Sequence, residues 1–303
     1  MMESSMEAVV IGNVTLDVLC YPVEDVPRYE SITFKHSVVS PGGCGSNVAI
    51  GLSALGVATA LVGRIGSDAS FGLITHTWDR VGLNYRYVQR DPQLQTGVSV
   101  GLIDQHHQPR FVHTPGANKL LSVEDLKVTQ FAESGTRAIH IAGYFVLPGL
   151  LDERLRISLC EARTLGILTS LDVVRSPNMD NPQFLWPVMP YLDVFLCNAQ
   201  EAGRLTGEME HTAAAKKLLS YGSQVVIVKL GEAGCWVESN DISRLVPGIS
   251  VDVVDTTGAG DAFAAGLIAA LLQTSDLISA CHAANQAGAR IAADFGSISA
   301  WLE

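Results

Sequence analysis

A carboxylate next to a run of very small residues can do chemistry, and the chain has one at Asp255-Thr256-Thr257-Gly258-Ala259-Gly260-Asp261. Gly258, Ala259 and Gly260 let the backbone approach a ligand and expose its N–H groups. The Ala-rich helical run opening at Ala262-Phe263 adds the partial positive charge of a helix N-terminus. Such a cradle suits a phosphoryl group with charge spreading over its oxygens, and Asp261 is placed to accept a proton from an attacking alcohol. The strand-like Val251–Val254 is expected to lead into it. A plain glycine turn with a first-turn helix acid leaves a similar trace. The Thr pair before it and the long small-residue helix after it favour chemistry.

Four other groups have chemical readings with structural alternatives beside them. In Pro41-Gly42-Gly43-Cys44-Gly45-Ser46-Asn47, Gly43 permits close backbone approach and Asn47 offers a donor and an acceptor to a polyol; a turn and helix cap before Val48–Leu55 fits as well. In Asn198-Ala199-Gln200-Glu201, the amide and carboxylate suit a hydrated Mg²⁺, and the same spacing makes a capping box. Lys229-Leu230-Gly231-Glu232-Ala233-Gly234 reads as a nucleotide-contacting turn or a simple hairpin. Gly12-Asn13-Val14-Thr15-Leu16-Asp17 ends a strand with an acid able to bind two hydroxyls, or with a surface turn residue. Other phosphate motifs fail. No Lys follows a Gly, which removes the Walker A loop, and neither Gly258-Ala259-Gly260 nor Gly43-Cys44-Gly45 continues to the third glycine of a dinucleotide fingerprint.

These groups need a scaffold. Short apolar runs at Val9–Ile11, Ala60–Val62, Ile139–Ile141, Leu168–Leu171, Val194–Leu196 and Val225–Val228 alternate with helical patterns, including a helical segment over 145–166. The pattern predicts an α/β fold with a doubly wound, mostly parallel sheet and ligands at the strands' carboxyl ends. Residues 13–41 and 96–116 break the rhythm with strand-like alternation, at Ile32, Phe34 and Val38 and at Val98, Val100, Leu102 and Phe111. They are expected to form a small antiparallel β lid over the substrate, with residues 1–12, 42–95 and 117–303 forming the core. An exposed apolar lid face makes a homodimer through the lid an expectation.

Composition narrows the classes. The 303 residues carry 20 Lys+Arg against 31 Asp+Glu, a net charge of −11, which argues against an electrostatic nucleic-acid binder. A hydrophobic content of 48% with 17% charged residues argues for a substantial core and against disorder. The six Cys are dispersed with no C-x-x-C pair, as expected of reduced thiols. The acidic opening residues are not those of a signal peptide, and the uncharged stretch Ala262–Leu272 is too short to span a bilayer. A cytoplasmic protein without a membrane partner is expected.

Taken in order, the five groups resemble the PfkB/ribokinase family of carbohydrate and nucleoside kinases, from Gly12 to about Gly296. Gly42-Gly43-x-Gly45-x-Asn47 is similar to its amino-terminal signature and Asp255–Asp261 to its carboxy-terminal one; Val62–Asp68 and Pro115-Gly116-Ala117-Asn118 add weaker matches. The resemblance implies a ribokinase-like fold and an ATP- and Mg-dependent sugar kinase acting on a primary hydroxyl. Asp261 would be the base, with Gly258, Ala259 and Gly260 as the anion hole. It implies acceptor binding by Asn13, Asp17, Gly43 and Asn47, and nucleotide or Mg²⁺ contacts at Asn198, Glu201, Lys229, Gly231, Gly234 and Asn285. Asp255 and Thr257 match a site for a monovalent cation such as K⁺. Thr15 stands where ribose-specific members usually have Asn, and Cys44 where ribokinases commonly carry Lys. A nucleoside kinase on the same scaffold is the alternative, and a non-catalytic ligand sensor a further one.

Overall fold

The structure is a computed structural model describing residues 6–106 and 109–302; the acidic opening at 1–5 and lid residues 107 and 108 lie outside the described residues. In chain order, β1 (Ala8–Gly12) enters the main sheet, and β2 (Thr15–Tyr21) and β3 (His36–Gly42) leave it for a second one. Next come α1 (Cys44–Ala54), β4 (Thr59–Gly66), α2 (Ser70–Arg80) and β5 (Asn84–Asp91), before β6 (Gly97–Ile103) and β7 (Pro109–Thr114) return to the second sheet. The remainder is α3 (Val128–Glu133), β8 (Ala138–Ala142), α4 (Leu155–Thr164), β9 (Leu168–Asp172), β10 (Val194–Asn198), α5 (Ala199–Thr206), α6 (His211–Leu219), β11 (Val225–Lys229), the antiparallel pair β12 (Cys235–Ser239) and β13 (Ser243–Val246), α7 (Ala259–Leu271) and α8 (Leu277–Ala292).

The main sheet has the order β13-β12-β11-β10-β9-β8-β1-β4-β5, parallel from β11 to β5. Its central strands are apolar on both faces because both faces are covered. Ala8 and Val10 of β1 join the cluster containing Val48 of α1, Leu267 of α7 and Cys281 of α8. Val9 and Ile11 join the one containing Phe131 of α3, Leu159 of α4 and Leu218 of α6. The expected doubly wound sheet is therefore present. The chain leaves β1 for β4 on one side and reaches β8 on the other, and at this reversal the carboxyl ends open a crevice.

The second sheet runs β3-β2-β6-β7. The pairs β2–β3 and β6–β7 are antiparallel, while the middle pair β2–β6 is parallel. The strands fall within 13–41 and 96–116, except that β3 ends at Gly42. Three local expectations are corrected. Ile32 and Phe34 lie in an exposed stretch before β3 and not in a strand. Val251–Val254 joins no sheet, because the Val254 and Asp255 N–H groups donate to Ala292 O at the end of α8. The 145–166 segment is short 3-10 turns followed by α4, with Pro148 starting one of the turns.

Two close approaches fix one end of the crevice. A Cβ on Gly45 would lie 2.5 Å from the Gly12 carbonyl carbon, so α1 begins in backbone contact with the end of β1. Asn118 exchanges hydrogen bonds with the backbone of Val14, at 2.8 Å to its N–H and 2.7 Å to its carbonyl, pinning the link between β1 and β2. Gly45→Ala is expected to destabilise the protein by about 1–3 kcal/mol by overpacking. Gly72→Ala, in α2 with nothing within 4 Å of its Cβ, should stabilise it by roughly 0.5–1 kcal/mol. Chemical denaturation of the two variants checks the contrast.

Candidate active site

The glycine turn opens α7 as expected. Gly258 is left-handed, with φ 79°, and a Cβ there would also lie 2.6 Å from Ser297 Cβ, so no other residue fits. No side chain caps the helix, which leaves first-turn N–H groups without intrahelical partners. Behind the turn, the fully buried Asp255 accepts from Thr257 N–H at 2.9 Å, Thr257 Oγ1 at 2.7 Å and Gly296 N–H at 3.1 Å.

A cation stands in front of it. Lys229 Nζ, at the end of β11, lies 3.3 Å from where a Gly260 Cβ would be and 2.7 Å from Asp172 Oδ2. Asp172 closes β9, and the sequence reading missed it. An acid ending an apolar run at a strand's carboxyl end was the only available signal. Burial pushes Asp172 up to about 7 against the pull of Lys229, and Glu201 adds to the rise. Burial alone would lower the Lys229 ammonium, but Asp172, Glu201 and Asp261 raise it, so it stays charged.

Asp261 and Asn47 are 214 residues apart in the chain, and Asn47 Nδ2 donates to Asp261 Oδ2 at 2.8 Å. Burial raises Asp261; Asn47, Lys229 and the Cys44 thiol oppose the rise. Asp17, on β2, is buried and accepts from Thr15 Oγ1 at 2.6 Å. Its carboxylate packs directly on Gly42, where a Cβ would lie 2.0 Å from Asp17 Cγ. Burial pushes Asp17 up to about 6, Thr15 opposing and the Asp261 charge adding to the rise. Gly43 has φ 84°, and its Cβ would lie 2.6 Å from the Asn13 carbonyl. Asn13 Oδ1 and Asn47 Oδ1 are buried without a partner.

Asn198 and Glu201 form the capping box. Asn198 N–H donates to Glu201 Oε2 at 2.8 Å, and Glu201 N–H to Asn198 Oδ1 at 2.9 Å. Arg175 N–H takes Glu201 Oε1 at 3.2 Å, so both carboxylate oxygens already accept a backbone bond. Among the described residues no group of three His, Cys, Asp or Glu is arranged to hold a metal ion. Beyond Lys229 a cleft continues between Gly231, Gly234, Thr256, Ala259, Phe263 and Asn285. Gly231 (φ 62°) faces open space. A Cβ on Gly234 would meet Val246 O at 2.2 Å, and Asn285 Nδ2 donates to Val246 O and Pro247 O, so both hold the cleft's rim.

The raised Asp17 has a stability consequence. Its folded form holds a proton more readily than the unfolded chain, so its contribution to stability falls as pH rises from about 4 to about 6. Asp17→Asn should therefore unfold at a higher temperature than the parent at pH 8, with the difference vanishing near pH 4. Thermal unfolding across pH checks this, and a less stable variant at pH 8 would contradict it.

The chain matches known proteins over nearly its whole length. A family model described as pfkB family carbohydrate kinase matches residues 6–303. Over 264 residues the chain is 28% identical to a protein of Archaeoglobus fulgidus named an uncharacterized sugar kinase, covering 82% of this chain and 96% of that one. Over 275 residues it is 29% identical to ribokinase of Mus musculus, covering 88% and 81%. The solved ribokinase of Arabidopsis thaliana, complexed with ribose and ATP, superposes with a TM-score of 0.82 at 25% identity, over 98% of this chain and 95% of that one. Adenosine kinase from Sinorhizobium meliloti shares the fold, with a TM-score of 0.84 at 21% identity over 97% and 95%. No helix among the described residues is long and apolar enough to cross a membrane. With a match that runs almost end to end and an acid, an amide and a lysine meeting at the glycine turn, the chain belongs to the pfkB family of carbohydrate kinases, phosphotransferases with an alcohol group as acceptor.

Proposed function

We propose that the protein is an ATP-dependent kinase transferring the γ-phosphoryl group to a primary hydroxyl of a carbohydrate, with Asp261 as general base. The observation carrying this reading is the convergence of Asp261, Asn47 and Lys229 on the first turn of α7. Burial raises the proton affinity of Asp261, which suits a group that must take a proton from an alcohol. The N–H groups around Gly258, Ala259 and Gly260, with the Lys229 ammonium beside them, stabilise charge on the transferring group. Asp17 accepts acceptor hydroxyls, the free oxygens of Asn13 and Asn47 accept others, and Gly43 admits the sugar close to the backbone. The nucleotide follows the cleft from Lys229 past Gly231 and Gly234 to Asn285.

Magnesium fits as a partner of the nucleotide phosphates. Asp172 Oδ1 is buried and unpartnered and would face the ion, while Glu201 and Asn198, already bonded to backbone, would hold it through water. When bound, Mg²⁺ neutralises phosphate charge. Potassium belongs to the same reading, because Asp255 is a buried carboxylate with three donors and no ion pair among the described residues. A nucleoside acceptor is the second reading, favoured by the shared fold with adenosine kinase.

Asp261→Asn should lower kcat by at least about a hundredfold with ATP affinity retained. A coupled assay over sugars and nucleosides supplies the acceptor for that measurement. Near-normal turnover in the variant would remove Asp261 from its role, and a response to nucleosides alone would favour the second reading.

A further inference from the structure

We propose that Thr15 is a positioning residue for acceptor binding, its hydroxyl holding the Asp17 carboxylate in the orientation that meets an acceptor hydroxyl. The proposal rests on the reading of Asp17 as an acceptor-binding residue. Thr15 Oγ1 donates to Asp17 Oδ1 at 2.6 Å, and both residues are 6% exposed. Alternate residues of a strand point to the same face, so Thr15 and Asp17 share one face of β2 with Leu19 and Tyr21. That face meets the loop holding Asp255. Tyr21 lies 6.0 Å from Phe295 between ring centroids, and Val38, paired with Leu19, has Cγ1 3.7 Å from where a Gly296 Cβ would be.

Glycines on both neighbouring strands make the contact possible, because Thr15 is paired with Gly42 of β3 and Gly97 of β6. A Cβ on Gly42 would lie 2.0 Å from Asp17 Cγ, so the carboxylate fills the space a side chain there would take. A Cβ on Gly97 would lie 3.1 Å from Thr15 Cγ2, which sets the threonine methyl against β6 and its hydroxyl toward Asp17. A β-branched side chain is stiff at χ1, so the hydroxyl keeps this direction. Gly42 leads through Gly43 into α1, whose Asn47 donates to Asp261 at 2.8 Å. The backbone on which Asp17 rests thus runs directly to the base. The threonine bond fixes the plane of the carboxylate, tying Oδ1 and leaving Oδ2 to an acceptor hydroxyl. It also favours the ionised form, the one that accepts at both oxygens, against the effect of burial. The strand partners of Asp17, Ser40 and Ser99, bring no positive charge to do the same.

The test is kcat and KM for the parent, Thr15→Val, Thr15→Ser, Asp17→Asn and the double variant Thr15→Val with Asp17→Asn. The acceptor is the sugar or nucleoside turned over fastest in the coupled panel. Valine keeps the shape of threonine and loses the donor. Thr15→Val should lower kcat/KM by about tenfold through the acceptor KM, with kcat and the KM for ATP near the parent's. Thr15→Ala also lacks the donor and replaces the valine variant if that one does not fold. Serine restores the donor and should bring the acceptor KM back toward the parent's. With Asp17→Asn already in place, the valine change should cost little more, because the threonine acts through that carboxylate. An acceptor KM like the parent's without the donor, a fall in kcat alone, or a serine variant as impaired as the valine one would each overturn the proposal. So would an undiminished loss in the Asp17→Asn background. An Asp17→Asn variant with the parent's acceptor KM would instead overturn the reading of Asp17 on which it rests.

Discussion

Three carboxylates, Asp172, Glu201 and Asp261, share one lysine in the crevice of this protein, with a fourth, Asp17, coupled to Asp261, and the rest of the site follows from that imbalance. Asp17, Asp172, Glu201 and Asp261 are each raised by burial before any other influence acts. Lys229 is ion-paired to Asp172 and lies close to the backbone of Gly260. Such an assembly works against folding, since each buried carboxylate gives up hydration that a single cation only partly replaces. Acids with raised proton affinity gathered around one cation in a crevice are the pattern of a functional site.

The fold supports this cluster with backbone packed against backbone. The first turns of α1 and α7 both enter the crevice, one from Gly43 and the other from Gly258, and each of these glycines is in the left-handed region. Strands β9, β10 and β11 are parallel; Asn198 and Lys229 end theirs opposite each other, Asp172 ends β9 opposite Leu196, and the Lys229 side chain reaches it across β10. The second sheet closes the other side. Tyr21 lies 6.0 Å from Phe295 between ring centroids, and Phe295 precedes the Gly296 whose N–H holds Asp255. The second sheet and the loop that holds Asp255 thus touch at Phe295.

Much of this was legible in the sequence because it is local. The runs at Val9–Ile11, Ile139–Ile141 and Val225–Val228 became central strands, and Asn198 with Glu201 became the capping box that its spacing allows. What escaped depends on partners far along the chain. Asp172 has only a weak local signature, since its pairing with Lys229 arises only when β10 is inserted between their strands. Val251–Val254 has the composition of a strand, yet its end is claimed by the carboxyl end of α8. Alternation placed strands in the lid, but it carries no record of direction, so the parallel pairing of β2 with β6 came only from the structure.

The sharing of one lysine among these acids can be measured directly by carbon-13 NMR titration of Asp261 in the parent and in Lys229→Met. The lysine charge lowers the proton affinity of Asp261, so its loss should move the titration to higher pH. An Asp261 titration that is the same in both proteins, with the fold intact, would contradict the account.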